Sequence, residues 1–331
     1  MLDSPMLDSA RVLVSPSVRV TVVIPNWNGA RHLPVCLESL QRQTYRDFEV
    51  IVADNASTDG SRELLRRDFP EARVVELDRN GGFAVGVNSG IRAARGELIV
   101  LLNNDTEADT AWLAELVRAA NEHPEAAFFA SKLLLFDRRD IIHSAGDYYR
   151  VDGVPGNRGV WQRDAGQFDT PEEVFGACGG AAAYRRSLLE DVGLFDERLW
   201  SYCEDVDLSL RARLAGYRCW FVPSARVYHK LSATGGGPIA SYYCGRNFVE
   251  VAVKNLPGDL LRRNAGALLW AQIGFAVQSL WHIQEPAARA RLRGQLAAIG
   301  RLPATLRARR AIQANRRISG TELARVLEAR A

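Results

Sequence analysis

The chain has almost no net charge, since 42 Lys and Arg against 39 Asp and Glu leave +3 over 331 residues. That excludes the strongly basic balance of a general nucleic-acid binder. Cysteine is scarce and unpaired: Cys36, Cys178, Cys203, Cys219 and Cys244 are odd in number and lack CxxC spacing. Neither a disulfide framework nor a structural zinc site is expected, and a reducing cytosol is the natural setting. The most apolar late segment, 265–283, is interrupted by Gln272, Gln278, Ser279 and His282, which argues against a spanning helix. The first sixteen residues carry Asp3 and Asp8 and no apolar core, so 1–18 reads as a flexible leader and not as a signal peptide. Two phosphate-binding signatures are missing. Gly81, Gly82 and Gly86 have the wrong spacing for GxGxxG and do not follow the first strand, and no GxxxxGK[ST] occurs. A nicotinamide dehydrogenase loses most of its support, and an ATP-hydrolysing reading fails.

What is present is a core and a rhythm. The apolar content of 47% suffices for one large or two modest domains. From Arg19 onward, strands at 20–25, 48–53, 72–77 and 97–102 alternate with helices at 30–43, 61–68, 83–94 and 112–121. This spacing predicts βαβ units and an α/β fold with a mostly parallel sheet. Residues 137–170, rich in Gly, Asp and Arg, predict strands and loops. Helices at 187–192 and 205–215 and a strand at 217–222 resume the pattern. The glycine run in 232–238 predicts a flexible lid, and 242–256 a helix ended by Pro257 and Gly258.

The chemistry gathers at predicted strand ends. The run Leu98 to Leu102 is that of a strand buried on both faces, and it leads directly into Asn103, Asn104 and Asp105. Parallel sheets bind ligands at such carboxyl ends, although an Asn/Asp turn has the same composition. Asp54 follows a second apolar strand and can accept from a pyrimidine ring N–H, with Trp27 covering the ring face. In Arg79-Asn80-Gly81-Gly82-Phe83 the glycines let backbone approach a ligand while a helix start faces phosphate oxygens. Downstream, Glu204, Asp205 and Asp207 crowd three carboxylates at a helix start, which spreads their pKa values as general-base work requires. Asp207 there suits dipole complementation. His229 follows another strand, where a satisfied core histidine is the simpler reading.

Taken in order, Ile24-Pro25-Asn26-Trp27-Asn28, Ala53 to Gly60, Asn80-Gly81-Gly82-Phe83-Ala84, Leu102-Asn103-Asn104-Asp105, Gly179-Gly180-Ala181, Glu204 to Leu208 and Tyr228-His229 resemble family 2 glycosyltransferases of the GT-A fold. The subgroup looks like bacterial rhamnosyltransferases and their relatives. The resemblance covers about 19–256 and implies a nucleotide-binding half at 19–105, an acceptor half at 106–256 and a C-terminal helical extension at 257–331. It implies a donor site from Pro25, Trp27, Asn28, Asp54, Arg79, Asn80, Gly82, Phe83, Asn103, Asn104 and Gly180. Asp105 and His229 would hold Mg²⁺ or Mn²⁺, with Asn103 standing where the family's metal motif has its first Asp. Asp205 would be the catalytic base and Glu204 would hold a sugar or acceptor hydroxyl.

The implied reaction is inverting transfer of a hexose, by preference L-rhamnose from a dTDP-linked donor, to a cell-envelope glycan or lipid-linked acceptor. UDP-hexose and UDP-galactofuranose donors, and a nucleotide-sugar binder that has lost catalysis, are the alternatives. A nucleotidyltransferase would need a Gly- and Lys-rich loop after the first strand, where Pro25-Asn26-Trp27-Asn28 stands instead. The tail between Arg289 and Arg317 holds nine arginines and no carboxylate. With the broad apolar face of 265–283, it suits the inner surface of a cytoplasmic membrane as well as it suits packing on the main domain or in a homodimer.

Overall fold

The structure, a computed structural model, describes residues 19–230 and 236–327. The leader and most of the 232–238 lid lie outside the described residues. In chain order the elements are β1 (Val20–Asn26), α1 (Leu33–Gln41), β2 (Phe48–Asp54), α2 (Ser61–Asp68), β3 (Arg73–Glu76), α3 (Phe83–Ala93), β4 (Leu98–Leu102), β5 (Thr106–Ala108), α4 (Trp112–Glu122) and β6 (Ala126–Leu135). Then come β7 (Ile142–Ala145), β8 (Asp147–Tyr149), β9 (Pro155–Asn157), β10 (Glu172–Val174), β11 (Ala181–Arg185), α5 (Arg186–Val192), α6 (Glu204–Leu214) and β12 (Arg218–His229). Helices α7 (Gly237–Asn255), α8 (Gly258–Arg263), α9 (Ala265–Trp281), α10 (Pro286–Gly300), α11 (Leu302–Ala314) and α12 (Gly320–Ala324) complete it.

One mixed sheet runs β10-β12-β6-β11-β4-β1-β2-β3, with β5 on β12 and β7 on β6. Its first-half strands, β4, β1, β2 and β3, are mutually parallel. β11 then inserts antiparallel between β4 and β6, and β12 runs parallel to β6. All five residues of β4 are buried, as its unbroken apolar run requires with helices on both faces. Two apolar clusters, one per face, form the core, and a third lies under α6, α7, α8 and α12.

Two departures from the sequence pattern shape the site. Strand β6 is the longest fully buried strand, yet its apolar run is broken by Ser131 and Lys132. The Lys132 ammonium is satisfied at depth by Asp164 and Asp169, each at 2.7 Å. Strand β12 continues past Pro223 through a register shift between Val222 and Arg226, the kind of position where a strand tolerates proline. That continuation carries His229 to the same end of the sheet as Asp105. Helix α7 begins at Gly237, ahead of the expected 242, because Pro238 sits in its first turn, where no backbone donor is needed.

Candidate active site

A cavity of about 430 Å³ opens where the ends of β1, β4 and β12 meet the starts of α3, α6 and β11. Its floor is tied together by amides. Asn104 Nδ2 donates to Asn26 Oδ1 (2.7 Å), and Asn26 Nδ2 donates to Asp54 Oδ2 (2.9 Å) and Ser57 Oγ (3.1 Å). Asp54 therefore lies beneath the wall, fully buried, its other oxygen taking Arg62 Nε (2.6 Å) and Ser57 N (3.0 Å). Burial alone would raise its pKa, but the hydrogen bonds from Ser57, Arg62 and Asn26 leave it below the ordinary range. Asn55 does the same for the next turn. Its side chain donates to Asn80 Oδ1 (3.0 Å) and Gly82 O (2.8 Å) and accepts from Gly81 N (2.9 Å).

Pro25, Trp27, Asn80, Gly82, Phe83, Asn103, Asn104 and Gly180 line the cavity, whereas Asn28, Asp54 and Arg79 do not. Asn28 orders the rim instead, accepting Thr58 N at 2.8 Å, and Arg79 is exposed. Gly82 is required on two counts. Its φ is +87°, and a Cβ there would lie 2.5 Å from both the Trp200 ring and its carbonyl oxygen.

At the cavity's deep end Asp105 Oδ1 faces His229 Nε2 at 3.2 Å. Asp105 Oδ1 is buried without a hydrogen-bond partner, and so is Asn103 Oδ1. An unpartnered buried carboxylate oxygen is costly unless a cation or donor is meant to occupy the space. The separation also suits adjacent ligands of an octahedral ion with bonds of about 2.1 Å. Among the described residues no group of three or more His, Cys, Asp or Glu side chains is placed to hold a metal ion.

His229 is oriented by a residue that the sequence did not flag. Its Nδ1 lies 3.0 Å from His143 Nδ1, which turns Nε2 toward Asp105. Burial, then His229, lower the His143 pKa to about 3, so His143 is neutral and supplies one donor or one acceptor. It sits on β7 within the irregular 137–170 stretch. Only the β6–β7 pairing brings it to the site.

A further part of the cavity wall is built from strained backbone. Trp200, Tyr202 and Cys203 all have φ near +66°, a left-handed conformation costing about 1–3 kcal/mol per residue. Helix α7 holds them there. Asn247 Nδ2 donates to the carbonyls of Leu199 (3.1 Å), Ser201 (3.0 Å) and Tyr202 (2.6 Å). The result presents Glu204 and Asp205 at the start of α6, while Asp207 turns away into a buried ion pair with Lys254 (2.6 Å) and Arg211 (2.9 Å).

Asp205 accepts from Gly179 N through Oδ2 and from Val206 N through Oδ1, each at 2.8 Å. Burial raises its pKa against those two bonds. Burial, then the Asp205 charge, push Glu204 well above the carboxylate range, and Glu204 Oε2 has no partner. A second unflagged carboxylate, Asp147, shares this wall and is raised by burial and then by Asp205. Asp205, whose pKa burial raises, thus lines the same cavity as Asp105 and His229.

A stability signature follows from Glu204. Its folded-state pKa lies above the unfolded one, so its contribution is present below the unfolded pKa and is lost as pH rises through the folded value. Glu204→Gln is therefore expected to melt about 2–4 °C higher than the parent at pH 8, equivalent to about 1 kcal/mol. The difference should vanish near pH 4. Equal melting temperatures at both pH values would show that the carboxyl carries no such cost.

Comparison with known proteins places these features. Residues 21–193 match the family Glycosyl transferase family 2. The chain is 30% identical over 242 residues to an N-acetylglucosaminyl-diphospho-decaprenol L-rhamnosyltransferase of Mycobacterium tuberculosis, covering 66% of this chain and 78% of that protein. It is 31% identical over 245 residues to the O-antigen biosynthesis protein RfbC of Myxococcus xanthus, spanning 70% of this chain but only 19% of that much longer protein. Among solved structures, a mannosyltransferase of Pyrobaculum calidifontis, solved with GDP-Man and Mn²⁺, aligns over 93% of this chain and 85% of its own, with a TM-score of 0.54 and 20% identity. GalNAc-T7, solved with UDP, GalNAc and Mn²⁺, aligns over 72% of this chain and 48% of its own at a TM-score of 0.59 and 19% identity. At those identities the structures establish the GT-A fold alone.

Proposed function

The chain belongs to glycosyl transferase family 2, and from that premise we propose that it is a metal-dependent inverting enzyme moving L-rhamnose from a dTDP-linked donor to a hydroxyl of a cell-envelope acceptor. The observation that carries the mechanism is the unpartnered Asp105 oxygen beside His229, in one cavity with Asp205. The sugar identity rests on the rhamnosyltransferase relative.

Trp27 and Pro25 cover the nucleobase, and the Asn80–Phe83 turn gives backbone to the diphosphate. Asp105 and His229 would hold Mg²⁺ or Mn²⁺, which would supply positive charge at the departing diphosphate. Asp205 takes the proton from the acceptor hydroxyl as that oxygen bonds to the anomeric carbon and the bond to the nucleoside diphosphate breaks on the opposite face. Glu204, whose pKa burial raises, would hold a hydroxyl of sugar or acceptor.

A thermal-shift screen of dTDP-rhamnose, UDP-glucose and UDP-galactofuranose, with and without Mn²⁺, tests donor choice. A ligand at about 100 times its Kd stabilises by about 2.7 kcal/mol, so the true donor stands out by several degrees. Stabilisation by a UDP-sugar alone would replace rhamnose. Asp105→Ala is expected to weaken donor affinity by about 100-fold and to abolish its dependence on Mn²⁺. Undiminished turnover of the parent chain in EDTA would remove the metal from the mechanism.

A further inference from the structure

Helices α9 and α10 form an antiparallel hairpin, pinned where Gln295 Nε2 donates to Gln272 O (2.9 Å) and Gln272 Oε1 (3.1 Å). One side faces the protein, with Phe275 against Phe248 and under the Arg291 guanidinium. The other side faces outward. The pinned register sets Leu269, Trp270 and Ile273 (63%, 62% and 42% exposed) level with Leu296 and Ile299 (68% and 67%), and Val277, Leu280 and Trp281 extend the face. Scattered surface apolar groups need no explanation, but a contiguous face of this kind marks a binding surface.

Its charge surroundings decide what binds. From 260 to 319 the chain holds eleven arginines and a single carboxylate, Glu285. Arg301, Arg316 and Arg317 pair with Glu250, Asp259 and Asp191, while Arg262, Arg263, Arg289, Arg293, Arg307 and Arg310 are exposed. Arg262, Arg309, Arg310 and Arg316 line an open cleft between α8 and α11 with only Asp259 opposite. A second copy docking on this face by two-fold symmetry would set arginines against arginines. An anionic bilayer supplies the missing counter-charge while its acyl boundary takes the Trp and Leu side chains. No helix among the described residues is long and apolar enough to cross a membrane, so the contact is with the surface.

The face also adjoins the cavity. Leu268 packs on the turn between β8 and β9, where a Cβ at Gly153 would lie 2.6 Å from its Cδ2. Pro155, Gly156 and Asn157 of the same hairpin line the cavity, as does half-exposed Ile239 from the first turn of α7.

We infer that the exposed face of α9 and α10 docks on an anionic lipid surface and holds the cavity mouth against it. The docking does not rest on the glycosyltransferase reading. The purified chain is expected to sediment with phosphatidylcholine vesicles containing about one third phosphatidylglycerol, and about 10-fold less with pure phosphatidylcholine. Trp270→Ser with Trp281→Ser should weaken that binding at least ~10-fold while leaving the melting temperature and the donor-induced shift unchanged. A Trp placed at the mouth, Ile239→Trp, should be quenched by brominated lipid in the anionic vesicles. Failure of the parent chain to sediment overturns the inference, as does unaltered binding of the double variant, an unquenched Ile239→Trp, or a dimer that the double variant converts to monomer. Sedimentation without any nucleotide-sugar stabilisation would instead sink the enzymatic reading and leave the docking standing.

Discussion

Asp205→Asn is expected to lower kcat for sugar transfer by about 10³-fold while donor affinity stays within about two-fold of the parent. The split follows from geometry. Asp205 lines the same cavity as Asp105 and His229 and has no bond to the floor that Asn26, Asn55 and Asn104 build. Its carboxylate is held rigid by Gly179 N and Val206 N, so the Asn side chain can keep one of these bonds and loses the basic oxygen needed for proton removal. The pH profile carries the same information. Burial raises both Asp205 and Glu204, so kcat/KM of the parent should climb with pH through a midpoint above the usual carboxylate value of about 4. That midpoint belongs to the pair and not to either residue alone. Turnover of Asp205→Asn near that of the parent would end the base assignment, and Glu204 or Asp147 would be next to test.

The largest loss of stability is expected at Lys254. It is 3% exposed on α7 and reaches Asp207, which is fully buried on α6, at 2.6 Å, and also Asp196. Lys254→Met keeps the volume and removes the charge. Two carboxylates then lose their shared cation, and breaking a buried pair from one side costs about 3–5 kcal/mol, or about 10 °C in melting temperature. Acid should narrow the difference. Although burial alone would raise both groups, Arg198 and Lys254 hold Asp196 below the usual range, and Lys254 with Arg211 does the same for Asp207. Their contribution is therefore present above the unfolded pKa and lost as pH falls through the folded values. Unfolding at pH 7 and pH 3 measures this. A variant as stable as the parent at pH 7 would mean that Arg198 and Arg211 suffice. Since Asp207 lies two residues beyond Asp205, Lys254→Met should also lower kcat by loosening the start of α6.

Much of this was legible in the chain because it is local. An apolar pentapeptide running into Asn103-Asn104-Asp105 says where a buried strand stops, and the alternation from Arg19 to Leu102 says that such strands are parallel. Strand ends therefore had to share an edge. Glu204 and Asp205 were legible as crowded acids at a helix start, although the three carboxylates looked alike until Lys254 and Arg211 claimed Asp207.

What stayed hidden is what depends on partners far away in sequence. Strand β6 was masked by Lys132, whose charge is tolerable only because Asp164 and Asp169 arrive from a distant loop. His143 looks like any loop residue until β7 pairs with β6 and sets it 3.0 Å from His229. Asp54 read as a nucleobase contact, and nothing local announces that Asn26, Ser57 and Arg62 already hydrogen-bond it in the fold.

The sequence by itself determined the α/β architecture, the family and the order of its chemical motifs, since periodicity and motif spacing are properties of neighbouring residues. Tertiary structure alone decided which oxygen is left unpartnered, which carboxylate is raised and which is ion-paired, and which face of α9 remains bare. Desolvation and hydrogen-bond saturation depend on every group that packs around an atom, and those groups converge only when the chain has folded.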